Sequence, residues 1–225
     1  MADPQKKSAL IAGATGLVGG YVLRRLLAHP SYSRVESWGR RELPIHDLKF
    51  TQRIVDFAHL DAGVPGIAPD EVFCCLGTTI RKAASEEMFR RVDYDYPLAL
   101  ARFAKAVGAG KFLMVSALGA DPKSAVFYNR VKGEVEQEIA AVGLPAAYFF
   151  RPSLLLGPRA ESRRGEKIAI AVGKLIAPLL ICGLRKYRPI HADTVAAAMV
   201  YAANHDVAAG VIESDAIARL ASLES

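Results

Sequence analysis

Near its start the chain reads Ser8-Ala9-Leu10-Ile11-Ala12-Gly13-Ala14-Thr15-Gly16-Leu17-Val18-Gly19. The short apolar run that ends at Ala12 is typical of a strand buried on both faces. Apolar residues then recur at helical spacing from Leu17 to Leu27, which predicts a helix directly after the glycines. Glycines in such a turn let the backbone approach a phosphate, and the helix N-terminus offers it free N–H groups. The stretch therefore predicts the first β-α turn of a dinucleotide-binding fold.

Strand-like and helix-like patterns continue to alternate as far as residue 150. Further strands are predicted at residues 35–39, 53–55, 72–76, 111–116 and 146–150. A long helix is predicted at 85–107, with a kink or break at Pro97, and another at 128–141. This alternation predicts an α/β fold with a doubly wound parallel sheet, which is Rossmann-like.

The last third of the chain alternates less regularly. Asp193 is predicted to cap a helix over 194–204, and residues 210–213 are predicted to form a last short strand. We expect residues 151–225 to form a small substrate-covering subregion at the carboxyl edge of the sheet, where ligands bind in open α/β folds. No Pro/Gly/Ser-rich linker precedes this subregion, so residues 1–225 are predicted to be a single NAD(P)-binding domain.

Composition excludes several classes of protein. The 225 residues are 52% hydrophobic and 23% charged, which is enough apolar material for a core. Net charge is +6, yet no aromatic residues interleave with the basic clusters, so we expect no nucleic-acid partner. The clusters are interpreted either as a solvated, basic loop surface or as a cleft that attracts an anionic ligand. These clusters are Arg159, Arg163 and Arg164, and Arg185, Lys186 and Arg188.

The apolar segments and the cysteines indicate in which compartment of the cell the protein is expected. The stretch 168–182 is interrupted and shorter than the about 20 residues that a bilayer requires, so it is interpreted as a buried or cleft-lining helix and no membrane span is expected. The apolar run at 9–12 is too brief for a signal peptide. Cys74, Cys75 and Cys182 show neither disulfide nor metal-ligand spacing, so we expect no metal and inert thiols in a reducing compartment, the cytoplasm.

The choice of dinucleotide depends on the end of the second strand. NAD-binding folds usually carry an acid there, about 20 residues past the glycines, to hold the ribose 2′-hydroxyl. Here the sequence reads Trp38-Gly39-Arg40-Arg41. Two guanidinium groups suit a 2′-phosphate and offer no acceptor to a hydroxyl. We therefore expect NADP(H) as the cofactor.

A second set of residues predicts proton transfer. Tyr128 and Lys132 are four residues apart, so on a helix they share one face. A nearby ammonium favours the phenolate and lowers the pKa of a tyrosine from its ordinary value of about 10. Ser116 follows the apolar run 112–115, and a serine hydroxyl there can hold the substrate oxygen. Ser116, Tyr128 and Lys132 are the predicted catalytic residues.

Longer motifs at residues 73–79, 116–121, 128–136, 151–153 and 159–163 accompany the G-x-x-G-x-x-G of Gly13, Gly16 and Gly19. Together they resemble the Tat-interacting-protein group of the atypical and extended short-chain dehydrogenases/reductases, over about residues 9–200. The resemblance implies that Gly77 and Thr78 lie near the adenosine ribose and pyrophosphate, Asp56 near the adenine, and residues 151–154 near the nicotinamide. The full set of expected cofactor contacts is Gly13, Thr15, Gly16, Leu17, Val18, Gly19, Arg40, Arg41, Asp56, Leu76, Gly77, Thr78, Thr79, Val115, Ser116, Tyr128, Lys132, Arg151, Pro152, Ser153 and Leu154.

Two features depart from the pattern of extended family members. Many of them carry an asparagine in the long helix that serves a proton relay, whereas Asp93 is the nearby residue here. The substrate region is also short, which leaves little room for a nucleotide-sugar. His191 precedes a predicted helix cap and is interpreted as a structural histidine.

Three functions are consistent with these observations. The first is an NADP(H)-dependent oxidoreductase that transfers hydride to or from a small carbonyl or alcohol. The second is a non-catalytic NADPH-binding regulator or sensor, which the apolar stretch 168–182 favours and the Ser/Tyr/Lys set opposes. The third is a nucleotide-sugar epimerase or dehydratase, which the short last third and the arginines oppose. The expected partner is a small-molecule substrate, and a homodimer is left open.

Overall fold

The computed structural model describes residues 6–62, 68–158 and 182–224. Parallel pairing joins seven strands into one sheet, in the order β3-β2-β1-β4-β5-β6-β9. The strands of the described ranges are β1 (Lys7–Ala12), β2 (Tyr32–Gly39), β3 (Phe50–Ile54), β4 (Glu71–Cys74), β5 (Lys111–Val115), β6 (Ala146–Arg151), β7 (Leu155–Leu156), β8 (Ile190–His191) and β9 (Gly210–Glu213). The strands β7 and β8 pair with each other outside this sheet.

Helices connect the strands. The α-helices of the described ranges are α1 (Leu17–Ala28), α2 (Ile80–Ala83), α3 (Glu86–Arg90), α4 (Tyr96–Ala106), α5 (Phe127–Ala141), α6 (Ala192–Asn204) and α7 (Ser214–Ala221). A π-helical turn, Arg91–Asp95, joins α3 to α4, and 3-10 turns lie at Phe57–Ala62 and Cys182–Tyr187. The sheet and its helices confirm the predicted doubly wound, Rossmann-like fold.

Side chains alternate between two cores, one on each face of the sheet. Ala9 and Ile11 of β1 pack with Val22 of α1 and with α6. Leu10 and Ala12 face the other way, toward α4 and α5. Because successive residues of a strand point to opposite faces, the uninterrupted apolar sequence of β1 supplies both cores.

Part of the last third belongs to this same core. The strand β9 pairs with β6 at the edge of the sheet, and α6 packs against α1. Arg25 of α1 holds Asp193 of α6 through two hydrogen bonds, Nε to Oδ1 at 2.8 Å and Nη2 to Oδ2 at 2.9 Å. At the other end of α6, Lys111 donates to three backbone carbonyls, where a cation also favours the helix dipole.

Two predicted local features were wrong. The long helix changes at the π-helical turn Arg91–Asp95, and Pro97 lies in the first turn of α4, where the missing N–H of a proline breaks no helical hydrogen bond. The cap of α6 is His191, whose Nδ1 accepts from the backbone N–H of Asp193 at 3.2 Å. This bond gives His191 the structural role expected of it.

Several features singled out in the sequence lie outside the described residues. They are Arg159, Arg163 and Arg164, the motif 159–163, and positions 168–181 of the apolar stretch. Within the described ranges, no helix is long and apolar enough to cross a membrane. The same ranges contain no group of three His, Cys, Asp or Glu side chains that could hold a metal ion.

Two adjacent glycines in α1 differ in the space around them, and this yields a test of the fold. A Cβ on Gly19 would lie 2.2 Å from the carbonyl oxygen of Gly13, whereas a Cβ on Gly20 would lie 3.5 Å from that of Ala14. We expect Gly19→Ala to cost about 2 kcal/mol, because the turn must open. Gly20→Ala should stabilise by about 0.5–1 kcal/mol through helix propensity. Urea unfolding measures both, and equal stability of the two variants would contradict the described turn.

Candidate functional site

A cavity of about 110 Å³ opens where the strand order reverses, at the carboxyl ends of β1, β2 and β4. This reversal is where open α/β folds bind their ligands. The predicted residues Gly13, Thr15, Gly16, Arg40, Leu76 and Gly77 line it together with Gly39, Phe57, Cys75, Val92 and Tyr96. The structure thus brings the glycine turn, Arg40 and the loop after β4 into one cleft.

The floor of this cleft is backbone. Gly13 has a φ of +90°, and a Cβ there would lie 2.4 Å from the carbonyl oxygen of Cys75. The N–H of Gly16 donates to the carbonyl of Gly13 at 2.9 Å, which closes the turn. Gly16 then caps α1 without a side chain, so no side chain blocks the approach of an anion to the first turn of the helix.

The residues expected near the adenosine divide into two groups. Arg40 lines the cavity, and Arg41 follows it as an exposed residue. Asp56 is exposed, its Oδ2 lies 2.8 Å from Nδ1 of His59, and it is not among the lining residues. Phe57 lines the cavity instead, with its ring centroid 5.7 Å from that of Tyr96.

One face of α5 carries the predicted proton-transfer pair. Tyr128 is half-buried, with its ring centroid 5.5 Å from that of Phe89. Lys132 is only 3% exposed, and its Nζ lies 2.7 Å from Oδ1 of Asp93. Burial acts to lower the pKa of Lys132, but the charges of Asp93 and Tyr128 outweigh it and the pKa is raised. Lys132 is therefore a buried cation.

Asp93 joins this pair to the cleft. Its Oδ2 accepts from the backbone N–H of Thr78 at 2.8 Å, in the loop after β4. A Cβ on Gly77 would lie 3.3 Å from Oδ1 of Asp93 and 3.9 Å from Nζ of Lys132. A side chain at position 77 would therefore press on the Asp93 carboxylate and touch the Lys132 ammonium.

Ser116 belongs to a buried polar network rather than to an open surface. Its hydroxyl donates to Glu136, which follows Lys132 by one further helical turn on α5. Arg151 binds the same carboxylate through Nε and Nη2, and its Nη1 lies 3.4 Å from Glu213. These bonds with Glu136 raise the pKa of Arg151 despite its partial burial. The predicted contact of Ser116 with a substrate oxygen stays a prediction.

The remaining predicted contacts lie on several elements. Thr79 caps α2 by accepting from the N–H of Lys82 at 3.2 Å, and Ser153 donates to the carbonyl of Arg188. Val18 is buried in the core, and the side chain of Leu17 lies against Gly157. Val115 ends β5, Pro152 is buried, and Leu154 is exposed.

Comparison with known proteins identifies the family to which the chain belongs. The model of the NAD dependent epimerase/dehydratase family matches residues 9–213. Protein HTATIP2 of Rattus norvegicus is 42% identical over 169 residues, which cover 73% of this chain and 69% of that protein. Protein FMP52, mitochondrial, of Saccharomyces cerevisiae is 32% identical over 197 residues, or 84% of each chain. The first of these relatives confirms the resemblance to the Tat-interacting-protein group of atypical short-chain dehydrogenases.

Solved structures share the fold at low sequence identity. UDP-glucose 4-epimerase of Thermotoga maritima, solved with UDP-glucose, superposes with a TM-score of 0.67 at 17% identity, covering 96% of this chain and 81% of that one. The Bordetella bronchiseptica enzyme WbmH, solved with NAD+, gives 0.66 at 16% identity, covering 92% and 75%. These similarities confirm the Rossmann-like fold.

The predicted location was wrong. Relatives from Saccharomyces cerevisiae, Eremothecium gossypii and Aspergillus terreus carry the word mitochondrial in their names, which contradicts the expected cytoplasm. The prediction rested on reduced cysteines, yet Cys74 is fully buried, and a shielded thiol stays inert in any compartment.

Sequence reasoning missed several residues of the site. Glu136 could have been found, because it continues the spacing of Tyr128 and Lys132 by another four residues. Phe57, Val92 and Tyr96 could not, because they come from different elements that only the fold brings to one cavity. The pairing of Asp93 with Lys132 likewise joins residues far apart in the chain.

The buried carboxylate of Glu136 provides a stability test. Arg151→Met removes its cationic partner, and we expect a cost of about 3–5 kcal/mol because the charge is left buried. Adding Glu136→Gln should recover much of this loss. Arg219→Met is the control: its pair with Asp215 has a 68% exposed arginine, so the cost should stay within about 1 kcal/mol. Urea unfolding measures all four proteins. Similar losses of unfolding free energy in Arg151→Met and Arg219→Met would show that the buried carboxylate of Glu136 does not need Arg151 as its partner.

Proposed function

The chain belongs to the NAD dependent epimerase/dehydratase family, and we propose that it is an NADP(H)-dependent oxidoreductase of the short-chain dehydrogenase type. Its substrate is a small carbonyl compound, or the corresponding alcohol in the reverse direction. The observation that carries this proposal is that the half-buried Tyr128 lies on the same face of α5 as the buried cation Lys132. Lys132 pairs with Asp93, and Asp93 in turn accepts a hydrogen bond from Thr78, in the loop that lines the cleft.

The cleft fits a dinucleotide. Side chains at Gly13 and Gly19 would fill the turn, so the backbone itself forms the surface that a pyrophosphate can approach. Arg40 lines the cavity at the end of β2, where a guanidinium can pair with a ribose 2′-phosphate. Phe57 and Tyr96 add aromatic surface to the cavity that receives the adenosine.

In the proposed reaction, residues of the chain supply the proton that the carbonyl oxygen of the substrate receives. When bound, the reduced cofactor supplies the hydride that reaches the carbonyl carbon. Tyr128 donates its phenolic proton to the carbonyl oxygen, and Lys132 stabilises the phenolate that forms. Ser116 is proposed to hold the substrate oxygen, for which its hydroxyl must turn from Glu136 toward the substrate. The phenolate then takes up a proton from solvent, which restores the neutral Tyr128 for the next turnover.

A nucleotide-sugar epimerase is the second candidate. It is favoured by the family description and by the superposition on UDP-glucose 4-epimerase. Arg40 opposes it, because NAD-binding sites usually carry an acid at this position. NAD that survives purification in the protein would favour the epimerase.

Cofactor preference tests the role of the arginines. We expect the wild-type protein to bind NADPH at least about tenfold more tightly than NADH, since charge-assisted hydrogen bonds contribute about 1.5–3 kcal/mol. Arg40→Gln should remove most of this preference by weakening NADPH alone. Arg41→Gln should have a smaller effect, because Arg41 is not among the cavity-lining residues. Titration of nicotinamide fluorescence measures each affinity. If the ratio of NADPH to NADH affinity stayed unchanged in the variant that combines Arg40→Gln with Arg41→Gln, the assignment of NADP(H) would be rejected.

Turnover tests the proton donor. Tyr128→Phe should lower NADPH-dependent reduction of aldehydes and ketones by at least about 100-fold, which is typical for loss of a general acid. Its NADPH affinity should stay near that of the wild type. Tyr94→Phe is the matched control: it lies on the π-helical turn against Arg90, a contact that phenylalanine keeps. Full turnover in Tyr128→Phe would reject the mechanism.

A further inference from the structure

A second cavity lies where residues 185–190 meet α7, apart from the glycine-lined cleft. Its volume is about 390 Å³, which falls within the range of about 300–1,000 Å³ typical of small-molecule sites. No residue of the described ranges lines both this cavity and the cleft. The cavity is therefore a separate place at which a ligand can bind.

The charged side chains that line this cavity carry an excess of positive charge. Arg185, Arg188 and Arg219 line it together with one acid, Asp215. Nη1 of Arg219 lies 2.7 Å from Oδ2 of Asp215, and this hydrogen bond holds the pKa of Asp215 below its ordinary value, so the two charges offset each other. In the part of the chain that the structure describes, no hydrogen bond or ion pair uses the guanidinium of Arg185 or of Arg188. Two uncompensated cations therefore line the cavity.

Arg188 also has a buried donor without an acceptor. Its Nε is shielded from solvent and has no hydrogen-bond partner among the described residues. Native proteins rarely leave a buried donor unpaired, because the lost hydration is not repaid. The backbone of Arg188 is already fixed, since its N–H donates to the carbonyl of Arg185 at 3.1 Å and its carbonyl accepts from the hydroxyl of Ser153. An oxyanion in the cavity can supply the missing acceptor without ordering this backbone first.

The two free guanidinium groups suit a phosphate better than a carboxylate. Each offers five N–H donors in a planar fork that fits the oxygens of either anion. A phosphate monoester carries about −1.5 to −2 charges near neutral pH and has three acceptor oxygens. A carboxylate has a single charge and two oxygens. The cavity is also larger than a bare ion needs, since one water in the liquid occupies about 30 Å³.

We propose that this cavity binds a small organic molecule through a phosphate monoester group, which Arg185 and Arg188 hold. Pro189, Ile190 and Ala218 form the apolar part of the lining and suit the carbon portion of such a molecule. The site goes beyond the proposed function, because it lies outside the cleft and does not require the chain to be an oxidoreductase.

The test is a calorimetric titration of the protein with glycerol 3-phosphate at constant ionic strength, with and without NADPH. We expect saturable binding at one site, and the same affinity in the presence of NADPH, because no described residue lines both cavities. Binding that disappears when NADPH is added would place the phosphate in the cleft and overturn the inference. The absence of saturable binding would overturn it as well.

Arginine variants locate the bound phosphate. Arg188→Gln should weaken the binding of glycerol 3-phosphate at least about tenfold, since it removes charge-assisted hydrogen bonds. Arg185→Gln should weaken it by a smaller factor, because Arg185 is exposed. Arg102→Gln is the matched control: it removes the same charge from an exposed position on α4 that lines neither cavity. Equal weakening in Arg102→Gln would show that the anion responds only to net charge, and the inference would fail.

Asp215→Asn tests the same site through a gain of affinity. The change removes the negative charge from the cavity and frees Arg219, so glycerol 3-phosphate should bind a few-fold more tightly. Damage to the fold cannot produce such a gain, so this variant decides the matter even where Arg188→Gln folds poorly. An affinity that is unchanged or weaker in Asp215→Asn would contradict the assigned site.

Three further probes test the class of ligand. Glycerol, which lacks the phosphate, should not bind measurably, and saturable binding of glycerol would rule out the phosphate as the recognised group. Sulfate should bind more weakly than glycerol 3-phosphate, because it lacks a carbon portion; equal affinity would mean an adventitious ion only. Succinate carries two carboxylates and should also bind more weakly. A higher affinity for succinate would replace the phosphate with a dicarboxylate and overturn the inference as stated.

Discussion

Backbone crowding at the first β-α turn is the constraint on which the cleft depends. The end of β4 approaches this turn so closely that the carbonyl of Cys75 would lie 2.4 Å from any Cβ on Gly13. The N–H of Cys75 meanwhile donates to the carbonyl of Ala12 at 2.8 Å. Only hydrogen atoms fit between these segments. The approach brings the loop with Gly77 beside the glycine turn, and both line one cavity.

Two buried ion pairs hold α5 beside that cavity. Lys132 and Glu136 lie one turn apart on the helix and bind opposite partners, Asp93 toward the β4 loop and Arg151 on β6. Buried pairs contribute little net stability, but losing one partner is costly, so each pair specifies where its helix lies. Tyr128, one turn before Lys132, is held relative to the cleft by the same two contacts.

Local rules predicted some elements and misplaced others. The apolar strands were found because burial on both faces leaves a continuous signal. The break in the long helix was assigned to Pro97, because proline is a known helix breaker, yet the π-helical turn before it lets the proline fall where it does no harm. Asp193 was assigned as a cap on residue type alone, although the bond with Arg25 holds its carboxylate instead.

Spacing within short segments was enough to predict the succession of strands and helices along the chain, the glycine turn, and the shared face of Tyr128 and Lys132. Which charged groups pair with each other depends instead on the packing of separate elements. Asp93 pairs with Lys132, Glu136 accepts a hydrogen bond from the hydroxyl of Ser116, and Phe57 rather than Asp56 lines the cavity. These contacts depend on how separate elements pack, and a buried charge takes whichever partner the packing brings within reach.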